Sequence, residues 1–89
     1  MLVVHCKRAK YDVYIGRPSI FGNPFEIGSD GTRAEVIEKH RLYLQERIKY
    51  DDEFKEAVKA LYGMVLGCYC APLPCHGDNL VAMAEELNT

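Results

Sequence analysis

Eleven consecutive residues hold most of the soft ligands in this sequence: Cys68-Tyr69-Cys70-Ala71-Pro72-Leu73-Pro74-Cys75-His76-Gly77-Asp78. Three of the four cysteines and one of the three histidines fall here, spaced C-x-C-x4-C-H. Zinc takes such donors tetrahedrally, with thiolates at ~2.3 Å and imidazoles at ~2.0–2.1 Å. Iron–sulfur clusters also accept thiolates, and histidine can replace one of them. Strand residues i and i+2 share a face, so Cys68 and Cys70 point together if the strand runs that far. Pro72 and Pro74 stiffen the turn that would return Cys75 and His76 toward Cys70. The candidate metal ligands are therefore Cys70, Cys75 and His76, with Cys68 supporting them and His5 available to complete the set. C-x-C is unusual for structural zinc, where C-x2-C dominates. A metal-free chemistry uses the same residues. A thiol at a helix N-terminus beside a histidine has a lowered pKa and can act as a nucleophile, which makes Cys75 and Cys70 the catalytic candidates. In the bland alternative Cys68 is a small buried hydrophobe and Asp78 a helix N-cap.

A second cluster lies in Gly16-Arg17-Pro18-Ser19-Ile20-Phe21-Gly22-Asn23-Pro24-Phe25. Two glycines, two prolines and an asparagine make it a structured loop. Arg17 offers the planar fork that holds phosphate or carboxylate. Asn23 can hold the loop or read a ligand. The pair is the candidate binding edge for a small anionic ligand such as a nucleotide. The alternative pairs Arg17 with Asp12 or Asp78 and leaves Asn23 as a turn residue. His5 and Cys6 alternate on the first strand, so only one of them can reach the cysteine loop. His40 falls on an apolar helix stripe and reads as a packed histidine.

These side chains need positioning. Residues 2–6 and Asp12-Val13-Tyr14-Ile15 are strand candidates. Thr32 and Glu35 have the spacing of a capping box, and a helix follows to about Tyr50. Val36, Ile37, His40, Tyr43, Leu44 and Ile48 form its buried stripe. Asp51-Asp52 recaps a second helix marked by Phe54, Val58 and Leu61, with Gly63 as its C-terminal cap. Residues 64–70 fit a buried strand, and a last helix begins near Asp78. The order β-β-loop-α-α-β-loop-α predicts an α/β fold. It is a small three-stranded sheet, with mixed pairing allowed, packed with three helices in a single domain spanning residues 1–89. Open sheets of this class bind ligands at the carboxyl edge of their strands, where both clusters fall.

The chain has 89 residues, 48% hydrophobic and 27% charged, which fits one globular domain and not a disordered segment. Its net charge of −2 gives no general pull toward nucleic acid or anionic membrane. Residues 1–24 nevertheless carry Lys7, Arg8, Lys10 and Arg17 against Asp12, a balance of +3, so the remainder holds −5. Such a basic lobe could attract a phosphate. No apolar run approaches the ~20 residues that cross a bilayer. The N-terminus lacks a basic segment and a secretory core, and the expected location is cytoplasmic.

Tyr11-Asp12-Val13-Tyr14-Ile15-Gly16-Arg17-Pro18, Gly22-Asn23-Pro24-Phe25, Thr32-Arg33 and the segment Leu66 to Asp78 together resemble a family of small domains of unknown function found in bacteria and bacteriophages. That family carries D-V-Y-I-G-R, G-N-P-F and C-x-C-x-P-x-x-C-H-G-D, and the resemblance spans nearly the whole chain. It implies a cytosolic protein of viral or mobile-element origin, in a bacterial or phage-infected cell, and no established activity. Three functions remain open from the residues. The first is a zinc- or iron-binding domain with an anion-binding loop. The second is a nucleotide-processing enzyme with a cysteine nucleophile. The third is an interaction module that binds a partner protein and keeps its cysteines for structure.

Overall fold

The computed structural model describes residues 2–89. Its elements are β1 (Leu2–His5), β2 (Val13–Tyr14), α1 (Arg33–Tyr50), α2 (Asp52–Lys59), β3 (Val65–Cys68) and α3 (His76–Leu87). The expected α/β order of three strands and three helices is what forms. The sheet order is β1-β3-β2, and both pairings are parallel. Leu2 to His5 pair with Val65 to Cys68, and Val13 and Tyr14 pair with Leu66 and Gly67. All three strands therefore end on one edge.

Helix starts follow the sequence closely. Thr32 Oγ1 accepts the Glu35 N–H at 3.2 Å, and Glu35 Oε1 accepts the Thr32 N–H at 3.0 Å, so the capping box starts α1. Asp51 closes α1 and caps α2, its Oδ1 accepting the Phe54 N–H. Three boundaries differ from expectation. Helix α2 ends at Lys59 with Ala60 as its cap, so Gly63, at φ +81°, serves the turn that follows. Strand β3 stops at Cys68, so Cys70 lies beyond it and shares no strand face with Cys68. The N-cap of α3 is Cys75 and not Asp78. Asp78 stands at N3, where its carboxylate accepts the Cys75 N–H at 3.2 Å.

The three helices pack on one another, and α3 lies against β1. Leu66, Cys68 and Ile15 from the sheet meet Leu44, Phe54, Val58, Leu80 and Ala84 from the helices in one core. Val36, His40 and Leu44 are the buried positions of the α1 stripe, and His40 is 1% exposed, as a packed histidine should be. Gly77 lets α3 approach the sheet. A Cβ there would stand 2.8 Å from Ile15 Cδ1 and 3.0 Å from Val3 Cγ1. The helices thus form one layer on one sheet face, and a crevice opens where the carboxyl edge meets α3 and the start of α1. No described helix is long and apolar enough to cross a membrane.

Candidate functional site

The crevice encloses about 290 Å³. Arg17 and Arg33 stand at it, Phe25, Ile27, Val36 and Ile37 give it an apolar side, and Cys68, Cys70, Cys75 and His76 line it from the sheet and α3. Parallel strands create this position because their carboxyl ends converge while the chain departs in loops. Both expected clusters reach it. The prolines contribute two cis peptide bonds, Arg17–Pro18 and Ala71–Pro72, one in each flanking loop.

The soft side chains share the crevice without forming a ligand set. Cys68 and Cys75 place their sulfurs 3.5 Å apart, both buried. Cys75 Sγ also accepts the Gly77 N–H at 3.3 Å, so this thiol caps α3. Burial and the neighbouring Cys68 push its pKa up to about 12, against a smaller lowering by the Gly77 N–H. At neutral pH it is a protonated thiol, the opposite of an activated nucleophile. His76 Nε2 donates to the Ile15 carbonyl at 2.7 Å, because a carbonyl can only accept. That nitrogen is therefore turned to the end of β2. Burial holds the His76 pKa below the ordinary value. Among the described residues no three His, Cys, Asp or Glu side chains are grouped to hold a metal ion. The expected convergence of Cys70, Cys75 and His76 on one point is replaced by a Cys68–Cys75 pair and a separately anchored His76.

His5 does not complete this group. Its Nδ1 accepts the Lys7 N–H at 3.1 Å, and its ring meets Tyr69 edge to face at 5.8 Å. His40 does approach: its ring lies 5.2 Å from that of His76. The Asn79 amide donates to His40 Nδ1 at 3.1 Å and to the Ile37 carbonyl at 2.9 Å, tying α3 to α1 behind the crevice. Burial, with the adjacent His76, lowers the His40 pKa to about 3.

Arg17 does not pair with Asp12 or Asp78. Its Nη1 donates to Glu26 Oε1 at 2.9 Å, in a pair more than half exposed on both sides. Exposed pairs are worth little, so a ligand anion can replace Glu26. Asp12 instead accepts the Val65 N–H at 2.7 Å. Asn23 is a clamp. Its amide donates to the Val36 carbonyl at 3.2 Å and its oxygen accepts the Phe25 N–H at 2.9 Å, so it fastens the loop to α1.

Arg33 was not among the expected site residues. It opens α1 and donates from Nη1 to the Pro74 carbonyl at 3.2 Å, bridging the helix start to the cysteine loop. Its position carried a signal. A cation in the first helical turn opposes the helix dipole, so it serves something other than helix stability. Tyr14 and Tyr69 also line the crevice, and Tyr14 donates to the Arg17 carbonyl at 3.0 Å.

The fold and crevice define a small parallel α/β domain with a cationic cleft at its carboxyl edge. The chain belongs to the family described as Domain of unknown function (DUF4326), which matches residues 4–86. It is 37% identical over 86 residues to the "Uncharacterized 12.4 kDa protein in nrdA-td intergenic region" of Enterobacteria phage T4, covering 96% of this chain and 78% of that protein. The expected kinship with a small family of unknown function that reaches into bacteriophages holds. No solved structure matches.

Proposed function

We propose that the crevice binds a small phosphorylated ligand of about mononucleotide size. The single observation that carries this reading is the presence of both Arg17 and Arg33 at one cavity with an apolar side. Guanidinium groups match phosphate oxygens in a fork, and a base or sugar suits the side made by Phe25, Ile27, Val36 and Ile37. The volume of about 290 Å³ sits at the lower end of small-molecule sites, which favours one nucleotide over a dinucleotide. The position outside the carboxyl ends of parallel strands supports the same choice.

The reading is binding and not covalent turnover. The Cys75 thiol is held protonated and turned to its own helix, which gives a cysteine nucleophile no support. A zinc or iron centre has one point in its favour, the 3.5 Å separation of Cys68 and Cys75 sulfurs. Two thiolates on a tetrahedral zinc would stand ~3.8 Å apart, given bonds of ~2.3 Å. The remaining donors do not fit, because no third His, Cys, Asp or Glu is grouped with the sulfurs among the described residues.

Thermal-shift titration with nucleoside monophosphates, the matching nucleosides and inorganic phosphate tests the proposal. Stabilisation by the monophosphates, weaker stabilisation by phosphate and none by nucleosides is expected. No shift from any phosphorylated compound would refute it. Elemental analysis of protein purified without chelator tests the metal reading separately.

A further inference from the structure

Parallel sheets are ordinarily covered on both faces. Here the helices form a single layer on one face, and the other carries tyrosines. Leu66 and Cys68 of β3, Val13 and Ile15 around β2 and Val3 of β1 belong to the core. By strand alternation Gly67 and Tyr14 face the opposite way. Tyr11 lies over Gly67, where an added Cβ would stand 2.6 Å from its Cγ, so glycine provides a flat seat for the ring. Tyr11 and Tyr14 have centroids 6.4 Å apart, and Tyr14 and Tyr69 meet edge to face at 6.1 Å. Tyr11 is 42% exposed and Tyr69 56%. With Cys6 and Lys7 the three rings line a second cavity of about 270 Å³.

We propose that this tyrosine-bearing face, outside the helical layer, binds single-stranded nucleic acid, with unpaired bases stacking on Tyr11 and Tyr69 and backbone phosphates held by Lys7, Arg8 and Lys10. Exposed aromatics beside cations are the two elements of sequence-tolerant strand binding. Lys7, Arg8 and Lys10 are all exposed, occupy the β1–β2 connection, and form no ion pair with another described residue. The nearest carboxylate in sequence, Asp12, is engaged by the Val65 N–H. The chain is acidic overall, so this cationic surface is a local feature. That pattern also argues against a second copy as the occupant. A two-fold interface would set the same cations against one another. Tyr14 and Tyr69 line both cavities, so the stacking face runs into the crevice. The inference stands apart from the crevice ligand: strand binding survives even if no mononucleotide binds.

Fluorescence anisotropy of the full chain with a labelled thymidine oligonucleotide of about ten residues tests it, a length within the range such sites cover. Saturable binding is expected, falling steeply with salt. A duplex of the same length should bind roughly tenfold more weakly or worse, because its bases are not free to stack. Tyr69→Ala, at an exposed position and with its fold checked by circular dichroism, should weaken binding roughly tenfold, and Tyr69→Phe should restore it. Reversing Lys7, Arg8 and Lys10 to Glu should abolish it. Absence of binding at low salt, equal binding of duplex, or indifference to Tyr69→Ala would overturn the proposal. So would sedimentation equilibrium showing a dimer that Tyr69→Ala dissociates, which would assign the face to a second copy.

Discussion

His76 Nε2 lies 2.7 Å from the Ile15 carbonyl oxygen, a hydrogen bond that ties the first turn of α3 to the end of β2. It holds the two walls of the crevice at a fixed separation, and it requires the proton on Nε2. The His40 ring stands beside it at 5.2 Å, and both histidines are held below the ordinary histidine value by burial.

A pH dependence of stability follows. The unfolded chain takes up protons near pH 6.5, while folded His40 refuses one until about pH 3. This stability is fully present above pH 6.5 and is lost as pH falls through that value toward 3. His40 contributes a slope approaching about 1.4 kcal/mol per pH unit between 6.5 and about 3, and His76 adds to it in the same direction. Urea unfolding at pH 7, 6 and 5 should show that decline, with His40→Gln flattening it. Most carboxylates titrate lower and leave this window to the histidines. A flat profile from pH 7 to 5 would contradict the buried neutral pair.

The thiols should divide into two classes. Cys68 and Cys75 are buried against each other, whereas Cys6 and Cys70 are partly exposed. Iodoacetamide at pH 8, read by mass spectrometry, should modify Cys6 and Cys70 in the native protein. Cys68 and Cys75 should react only on unfolding, since the Cys75 thiolate forms with difficulty. Fast, selective modification of Cys75 would revive the nucleophile.

Asn23 should behave as a structural residue. Asn23→Ala leaves the Val36 carbonyl and the Phe25 N–H without their partner, at a cost of about 1–3 kcal/mol. Denaturant unfolding should register that loss in the absence of any ligand. A variant as stable as wild type but unable to bind nucleotide would return Asn23 to the list of ligand contacts.

The sequence made the architecture legible where signals were local. Thr32 and Glu35 marked the start of α1, and Asp51 marked the break before α2, because caps are formed by neighbours in the chain. The parallel pairing of β1 and β2 on either side of β3 depends on contacts more than fifty residues apart, which no local pattern encodes. Both clusters meet at one crevice, but the local roles of their side chains were not legible. Cys75 and His76 do lie at the crevice, yet a thiol can cap a helix as well as bind a metal, and only the position of Gly77 and Ile15 decides. Asn23 presented the same ambiguity between clamp and ligand contact. Arg33 passed unremarked as a site residue although a first-turn cation is a signal, because what it serves is seen only once the cysteine loop folds against it.

The most direct test of the account is calorimetric titration of a nucleoside monophosphate into wild type, Arg17→Ala, Arg33→Ala and the double variant. Arg33 also supports the Pro74 loop, so each variant is first checked for unchanged urea unfolding. Losing one charge-assisted contact is worth about 1.5–3 kcal/mol, so each single change should weaken binding roughly tenfold to a hundredfold. The double variant should bind no better than the matching nucleoside does to wild type. Undiminished affinity in the folded double variant would contradict the cationic crevice as a phosphate site.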